Sequence, residues 1–367
     1  MQEEKKRILK MVEEGKITAA EAITLIEALE NPTKKSETTT EPSPHVNFDS
    51  SSSNNYENKS YKRPSFMDKF TDFIDSTFQK IKDVDLDFNF GPHKEVNHIF
   101  QHRDVYLVNM SLDISNGDIK ILPWDERDVR VECQAKVYKV SSQEEAKKEF
   151  LKSVYFSIDG DAMRFSVEPK QIKMNTVFYI PRFLYEKITI RMFNGHIKAE
   201  NLNVKMFKAK TANGNIQFSN LSGNDFEFET ANGHIRVENS RAHELEAETL
   251  NGTIKANGSF VKTDLQSFSG NIICEVLDSR SETVLVKSKT GSIDLFVADN
   301  TNLEVNGKLK SNIGGFTCEL TNLEILDEKK DVVQKEMSFV ANRGQERKLY
   351  VDAESRTGSI VVKRIEQ

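Results

Sequence analysis

The sequence predicts a mainly β protein: a single-stranded, parallel β-helix-like solenoid of about 19-residue coils, with a small N-terminal α-hairpin and an amphipathic capping helix. Three observations predict it. A turn signal recurs at Asn194-Gly195, Asn213-Gly214, Asn232-Gly233, Asn251-Gly252, Ser269-Gly270 and Thr290-Gly291, with glycine steps of 19, 19, 19, 18 and 21 residues. Two residues after each glycine stands an isoleucine: Ile197, Ile216, Ile235, Ile254, Ile272 and Ile293. The chain is also polar for a globular protein, at 37% hydrophobic and 29% charged residues, which suits a thin fold that buries one inner face.

The elements follow in order. Residues 1–30 read as a helical hairpin: Ile8, Leu9 and Val12 share one face, Gly15 ends the first helix, and Thr18 with Glu21 forms a capping box. Ile23, Ile26 and Leu29 continue at helical spacing until Pro32 closes the unit. So small a core predicts docking or self-association. Residues 31–64, with SETTTEPSP and DSSSSNN, read as a flexible linker. Over residues 65–83 Phe66, Phe70, Phe73, Ile74, Phe78 and Ile81 keep a 3.6 period, predicting a helix that caps the β domain or meets a membrane or partner. Residues 84–367 form the β domain. Alternation over Val105–Val108, Ile119–Leu122 and Val129–Val137 predicts strands, interrupted by a helix around Glu144–Leu151.

Within the repeat, Phe207, Ala209 and Thr211 align with Phe226, Phe228 and Thr230 and with Leu245, Ala247 and Thr249, so each unit holds two short strands. Asn-Gly supplies the positive φ of a sharp corner, and stacking at ~4.8 Å would pile the isoleucines into one ladder. Asn194, Asn213, Asn232 and Asn251 would then form an amide ladder. Asn116-Gly117-Asp118-Ile119 and Thr357-Gly358-Ser359-Ile360 echo the same unit. An antiparallel meander is the competing architecture, since Asn-Gly between alternating residues also signals a hairpin.

A formal net charge of -6 gives no general attraction to nucleic acid, and the second helix, AAEAITLIEALE, has no Arg or Lys with which a helix-turn-helix would read DNA. The opening lacks the apolar core of a secretory signal, and the chain offers no run of ~18 apolar residues. It therefore reads as cytoplasmic, with peripheral membrane contact through residues 65–83 and surface exposure left open. Cys133, Cys274 and Cys318 lack CxxC spacing and sit in alternating apolar stretches, as small buried hydrophobes do. His196 and His234 share the slot after a corner glycine, too far apart to hold one metal, and His98 and His102 bring no further strong ligand. Outward columns of Lys198, Gln217, Arg236, Lys255 and of Glu200, Ser219, Glu238, Asn257 predict a self-neutralising face rather than the paired carboxylates of a polysaccharide-active enzyme. No catalytic, metal or cofactor residues are selected. The candidate partner contacts are Ile8, Leu9, Val12, Ile23, Ile26, Leu29, Phe66, Phe70 and Phe73.

The segment KKRILKMVEEGKITAAEAITLIEALE, Lys5 to Glu30, resembles the short helical domain that begins YvlB/LiaX-like proteins of Gram-positive bacteria. The NGxI repeats resemble the adhesin-like β-strand repeat region of the same proteins. The resemblance implies a role in the cell-envelope stress response, with the helical domain linked to membrane-active antimicrobial peptides and the β domain to restraint of signalling. The expected function is non-enzymatic binding or sensing: a rigid β platform, and a hairpin that contacts a membrane-associated stress regulator or another copy. A structural surface adhesin and a polysaccharide-active enzyme are the alternatives.

Overall fold

Which residues face inward decides how the strands stack. The computed structural model describes residues 91–167, 171–278, 280–298, 302–331 and 334–365. All belong to the second of the chain's two units, Lys62–Gln367. The long strands Leu184–Asn194, Asn203–Asn213 and Ser222–Asn232 lie parallel and in register, with Asn194 beside Asn213 and Asn213 beside Asn232. Short strands form a second ladder, which brings Ile197, Ile216, Ile235, Ile254, Ile272 and Ile293 into one column. All six are buried to 0% exposure, and each contributes ~1.5–3 kcal/mol by leaving water.

The corner between the two ladders is held by three columns. The Asn213 amide donates to the Asn194 side-chain oxygen at 2.8 Å, Asn232 to Asn213 at 2.9 Å and Asn251 to Asn232 at 2.8 Å. Inside them, the buried hydroxyls of Thr230 and Thr249 donate to the carbonyls of Gly214 and Gly233 at 2.9 and 3.0 Å. The glycines form the third column, each against the previous one: a Cβ on Gly214 would stand 1.9 Å from the Gly195 carbonyl oxygen. Removing a buried hydroxyl strands a buried carbonyl, whereas the exposed amides can turn to water. Thr230→Val should therefore cost about 1.5 kcal/mol and Asn232→Ala about 1 kcal/mol, an order that urea denaturation midpoints will show.

The whole departs from the uniform, single-stranded parallel solenoid that the repeat predicts. The strands join one mixed sheet that wraps into a nearly closed barrel around a single core. Both ends are antiparallel. At one, His93–His102 pairs with Val129–Tyr138, which pairs with Ile172–Pro181, and Val154–Asp159 pairs with Ala162–Val167. At the other, Lys335–Ala341 runs antiparallel to both Leu303–Ser311 and Leu323–Lys330. A terminal repeat has no neighbour to hide its apolar face and leaves an open strand edge, so the ends need different pairing. The outermost strand Leu323–Lys330 carries the charged residues Asp327, Glu328, Lys329 and Lys330, which discourage further strand addition.

Stacking order also departs from chain order. Asn109–Asn116 lies between Ala162–Val167 and Leu184–Asn194, and Arg347–Ser355 lies between Thr283–Thr290 and Leu303–Ser311. Among the described residues there is one helix, Gln143–Ser153, started by Ser142, whose side chain accepts from the Glu145 N–H at 3.1 Å. It packs on the strands of the first end with Phe150 fully buried. The hairpin of residues 1–30 and the segment 65–83 lie outside the described residues. Val105–Val108, expected as a strand, is irregular: Val105 and Val108 donate to the carbonyls of Arg127 and Asp161 instead of joining a ladder, while Val105 and Leu107 still point into the core.

Candidate functional site

Outward residues of the two ladders make the surfaces that a partner could meet. On the short strands Lys120, Lys198, Gln217 and Arg236 form one row, and Glu200, Ser219 and Glu238 form the next, around a groove of about 240 Å³. Lys120 pairs with Glu200 at 3.6 Å and Arg236 with Glu238 at 3.2 Å. This face neutralises itself, as the alternation of charge predicts, and its exposed pairs contribute little stability.

A second groove, of about 320 Å³, lies near the far end and is more apolar, with Leu285, Leu326, Phe339, Tyr350 and Val351 beside Lys308 and Asp352. Leu326 is the extra residue of a bulge, where the pairing of Leu323–Lys330 shifts between Ile325 and Asp327, and a bulge of this kind re-aims a side chain. Leu326 and Tyr350 stand 52% and 55% exposed. Phe339 fills the floor, its ring lying where a Gly307 side chain would be. The Lys308 ammonium, 2.5 Å from Glu336, holds that carboxyl below its usual range. Exposed Leu and Tyr over a rigid floor with a polar rim is the chemistry of a protein contact.

On the long strands Lys208, Lys210, Glu227 and Glu229 form a network. Lys208 bonds Glu227, and Lys210 reaches Glu227 at 2.9 Å and Glu229 at 2.7 Å. Burial works against the Glu227 carboxylate, but Lys208 and Lys210 outweigh it and bring it down to about 2. Burial wins at Glu229, which is pushed up despite Lys210. A carboxyl held below its unfolded value adds stability that is complete above pH 4.5 and is lost as pH falls toward 2. One held above that value subtracts stability at neutral pH and returns it on mild acidification. Glu227→Gln should thus lower unfolding free energy at pH 7 by about 1–2 kcal/mol, a deficit that shrinks below pH 4.5. Glu229→Gln should be neutral or stabilising at pH 7, since Lys210 keeps Glu227. Denaturation curves at both pH values check the pair.

All nine partner-contact residues selected from the sequence, Ile8, Leu9, Val12, Ile23, Ile26, Leu29, Phe66, Phe70 and Phe73, lie outside the described residues. His196 and His234 have a role that their spacing alone does not state: their Nδ1 atoms accept from the N–H groups of Asn215 and Thr253, each at 2.9 Å. Asp118 and Asn215 do the same for His196 and His234. The signal was one slot filled by acceptor-bearing residues, Asp118, His196, Asn215 and His234. Among the described residues no group of three His, Cys, Asp or Glu is placed to hold a metal, and no helix is long and apolar enough to cross a membrane. Cys133 and Cys274 are buried, and burial pushes their thiols up to about 12.

Residues 107–343 match the Toastrack DUF4097 family, and residues 3–34 match a SHOCT-like domain. The chain is 50% identical over 364 residues to the YvlB protein of Bacillus subtilis, covering 99% of each. Two solved structures are similar at lower levels. A candidate cell adhesion protein of Clostridium sporogenes is 10% identical with a TM-score of 0.28, covering 74% of this chain and 100% of that one. A candidate adhesin of Bacteroides fragilis is 12% identical with a TM-score of 0.37, covering 74% and 97%.

Proposed function

We propose that this chain, which belongs to the Toastrack DUF4097 family together with YvlB of Bacillus subtilis, is a non-catalytic binding scaffold that meets a protein or a cell surface. The observation that carries this reading is the apolar groove around Leu326 and Tyr350, presented by strands locked in ladders on its floor. Apolar side chains this exposed on a rigid wall gain most from being covered by a partner. A scaffold of this kind needs no moving part.

Two finer readings share that scaffold. In one it works at the cell surface as an adhesin. In the other it restrains an envelope-stress regulator, with the SHOCT-like region as a second contact. Location separates them: fractionation of native cells places the chain either on the outer surface or with the cytoplasm and inner membrane face. The scaffold itself is tested by the double variant Leu326→Ser, Tyr350→Ser in the full chain. Loss of the bound partner or surface with an unchanged β-sheet circular dichroism spectrum supports it; undiminished binding removes the groove from the account.

A further inference from the structure

Toward the far end, the long-strand wall carries positive charge that no side chain answers. Ser267, Ser288, Ser355 and Ser311 stand side by side in register. All four are buried, and their hydroxyls donate to the carbonyls of Gly252, Gly270, Gly291 and Gly358 at 3.1, 3.0, 2.8 and 3.1 Å. Side chains alternate along a strand, so the next residue of each, Phe268, Lys289, Arg356 and Asn312, points outward. In earlier tiers the same slot holds Ala212, Ala231 and Leu250, and charge enters it only at Lys289 and Arg356. These two are lateral neighbours about 4.8 Å apart, and like charges so placed destabilise a sheet unless an anion lies between them. The backbone holds them there: the Arg356 N–H donates to the Ser288 carbonyl at 3.1 Å, and the Arg356 carbonyl accepts from the Ile313 N–H at 3.2 Å. With Gln266, Lys287 and Glu354 they line a groove of about 490 Å³. Three cations thus face one carboxylate, and among the described residues none of the four closes an ion pair. Lys287 has Glu354 beside it in register, which leaves Lys289 and Arg356 as the pair without a counter-ion. The groove of Lys120, Lys198 and Arg236, by contrast, supplies its own carboxylates at 3.6 and 3.2 Å.

We propose that this groove binds a linear phosphate-bearing polymer, with Lys289 and Arg356 sharing the oxygens of one phosphate and Lys287 meeting the chain at its flank. A guanidinium takes two phosphate oxygens through parallel bonds, and an ammonium adds a point charge beside it. The cations are spread along the wall instead of converging on one point, since Lys287 and Lys289 lie two residues apart on one strand, or ~6.6 Å. Such spacing suits successive anions of a chain better than a single ion. An acidic peptide would call for an apolar anchor pocket as well. The one ring in the groove, Phe268, is already covered by the Lys289 ammonium, 4.1 Å from its centre. The same cover leaves no open ring face on which a nucleobase could stack. The site shares no residue with the groove around Leu326 and Tyr350, so it goes beyond the scaffold reading and does not depend on it.

The test follows the binding of end-labelled inorganic polyphosphate to the full chain by fluorescence anisotropy over a series of salt concentrations. Lys289→Gln with Arg356→Gln should weaken binding about tenfold or more and lower the salt slope by about one to two. Lys198→Gln with Arg236→Gln removes the same charge from the self-neutralised groove and should change the affinity less than about twofold. All four side chains are exposed, and circular dichroism of each double variant confirms that the wall is intact when binding is read. Equal losses in the two variants reveal a diffuse charge effect and overturn the proposal, as does a parent chain that leaves polyphosphate unbound. Tighter binding of poly-glutamate or of phosphatidylglycerol vesicles than of polyphosphate also overturns it, for the occupant is then an acidic peptide or a membrane.

Discussion

Gly214→Ala should leave the full chain largely unfolded or cost about 4 kcal/mol or more, the range reserved for a few named mechanisms. The added Cβ would sit 1.9 Å from the Gly195 carbonyl oxygen and 2.5 Å from its carbon, both backbone atoms. Neither can retreat. The Gly195 N–H is bound to the Asn213 carbonyl at 2.7 Å and the Gly214 N–H to the Asn232 carbonyl at 2.9 Å, so moving one corner breaks the next. The φ of +149° at Gly214 adds backbone strain for any L side chain. Gly160 is the control: its φ is +58° but nothing lies within 4 Å of a Cβ there. Gly160→Ala should cost about 1 kcal/mol. Equal costs at the two positions, measured by denaturant midpoint, would mean that the corners do not touch.

Phe228→Ala should cost about 3–5 kcal/mol, again read from the denaturation midpoint at an unchanged slope. Phe228 is fully buried, with ring centroids 4.6 Å from Phe218, 5.5 Å from Phe207 and 5.8 Å from Phe226. Its register neighbours are the small residues Ala209 and Ala247. The large ring fills the space that both alanines leave, so its loss opens a cavity bounded by two ladders held by backbone bonds. Such a wall collapses poorly, which places the cost toward the upper part of the range. A loss below about 1 kcal/mol would show that the aromatic cluster can repack.

Register was legible in the sequence because a corner repeats the same chemistry at each tier. Asn-Gly with an isoleucine two residues later gave the column positions, and the stacked asparagine amides follow from identical residues at equal steps. Pairing order was not legible. Nothing in Asn116-Gly117 says that it stacks on Asn194-Gly195, 78 residues on, with the Asn194 amide donating to Asn116 at 2.9 Å. The antiparallel ends were hidden for a related reason: alternation has the same period whichever way the partner strand runs. A second corner went unread although it keeps the same step, at Asn201, Asn220 and Asn239, with φ of 58°, 53° and 48°. Asparagine reaches this region without glycine, so the Asn-Gly signature passes over it. The apolar groove was invisible because it depends on the bulge at Leu326 and on Arg347–Ser355 inserting between two earlier strands.

The register of the repeats underlies the grooves and the corner columns alike. It is tested most directly by the distance between nitroxide labels at Lys198→Cys and Asp294→Cys in a chain with Cys318→Ser, the thiols of Cys133 and Cys274 being buried. These two positions lie in one outward row that passes through Gln217, Arg236, Lys255 and Ile273. Stacked neighbours put them about 24 Å apart before the label arms are added. Repeats folded as successive hairpins would separate them by about 48 Å, and a distribution centred there would contradict the account.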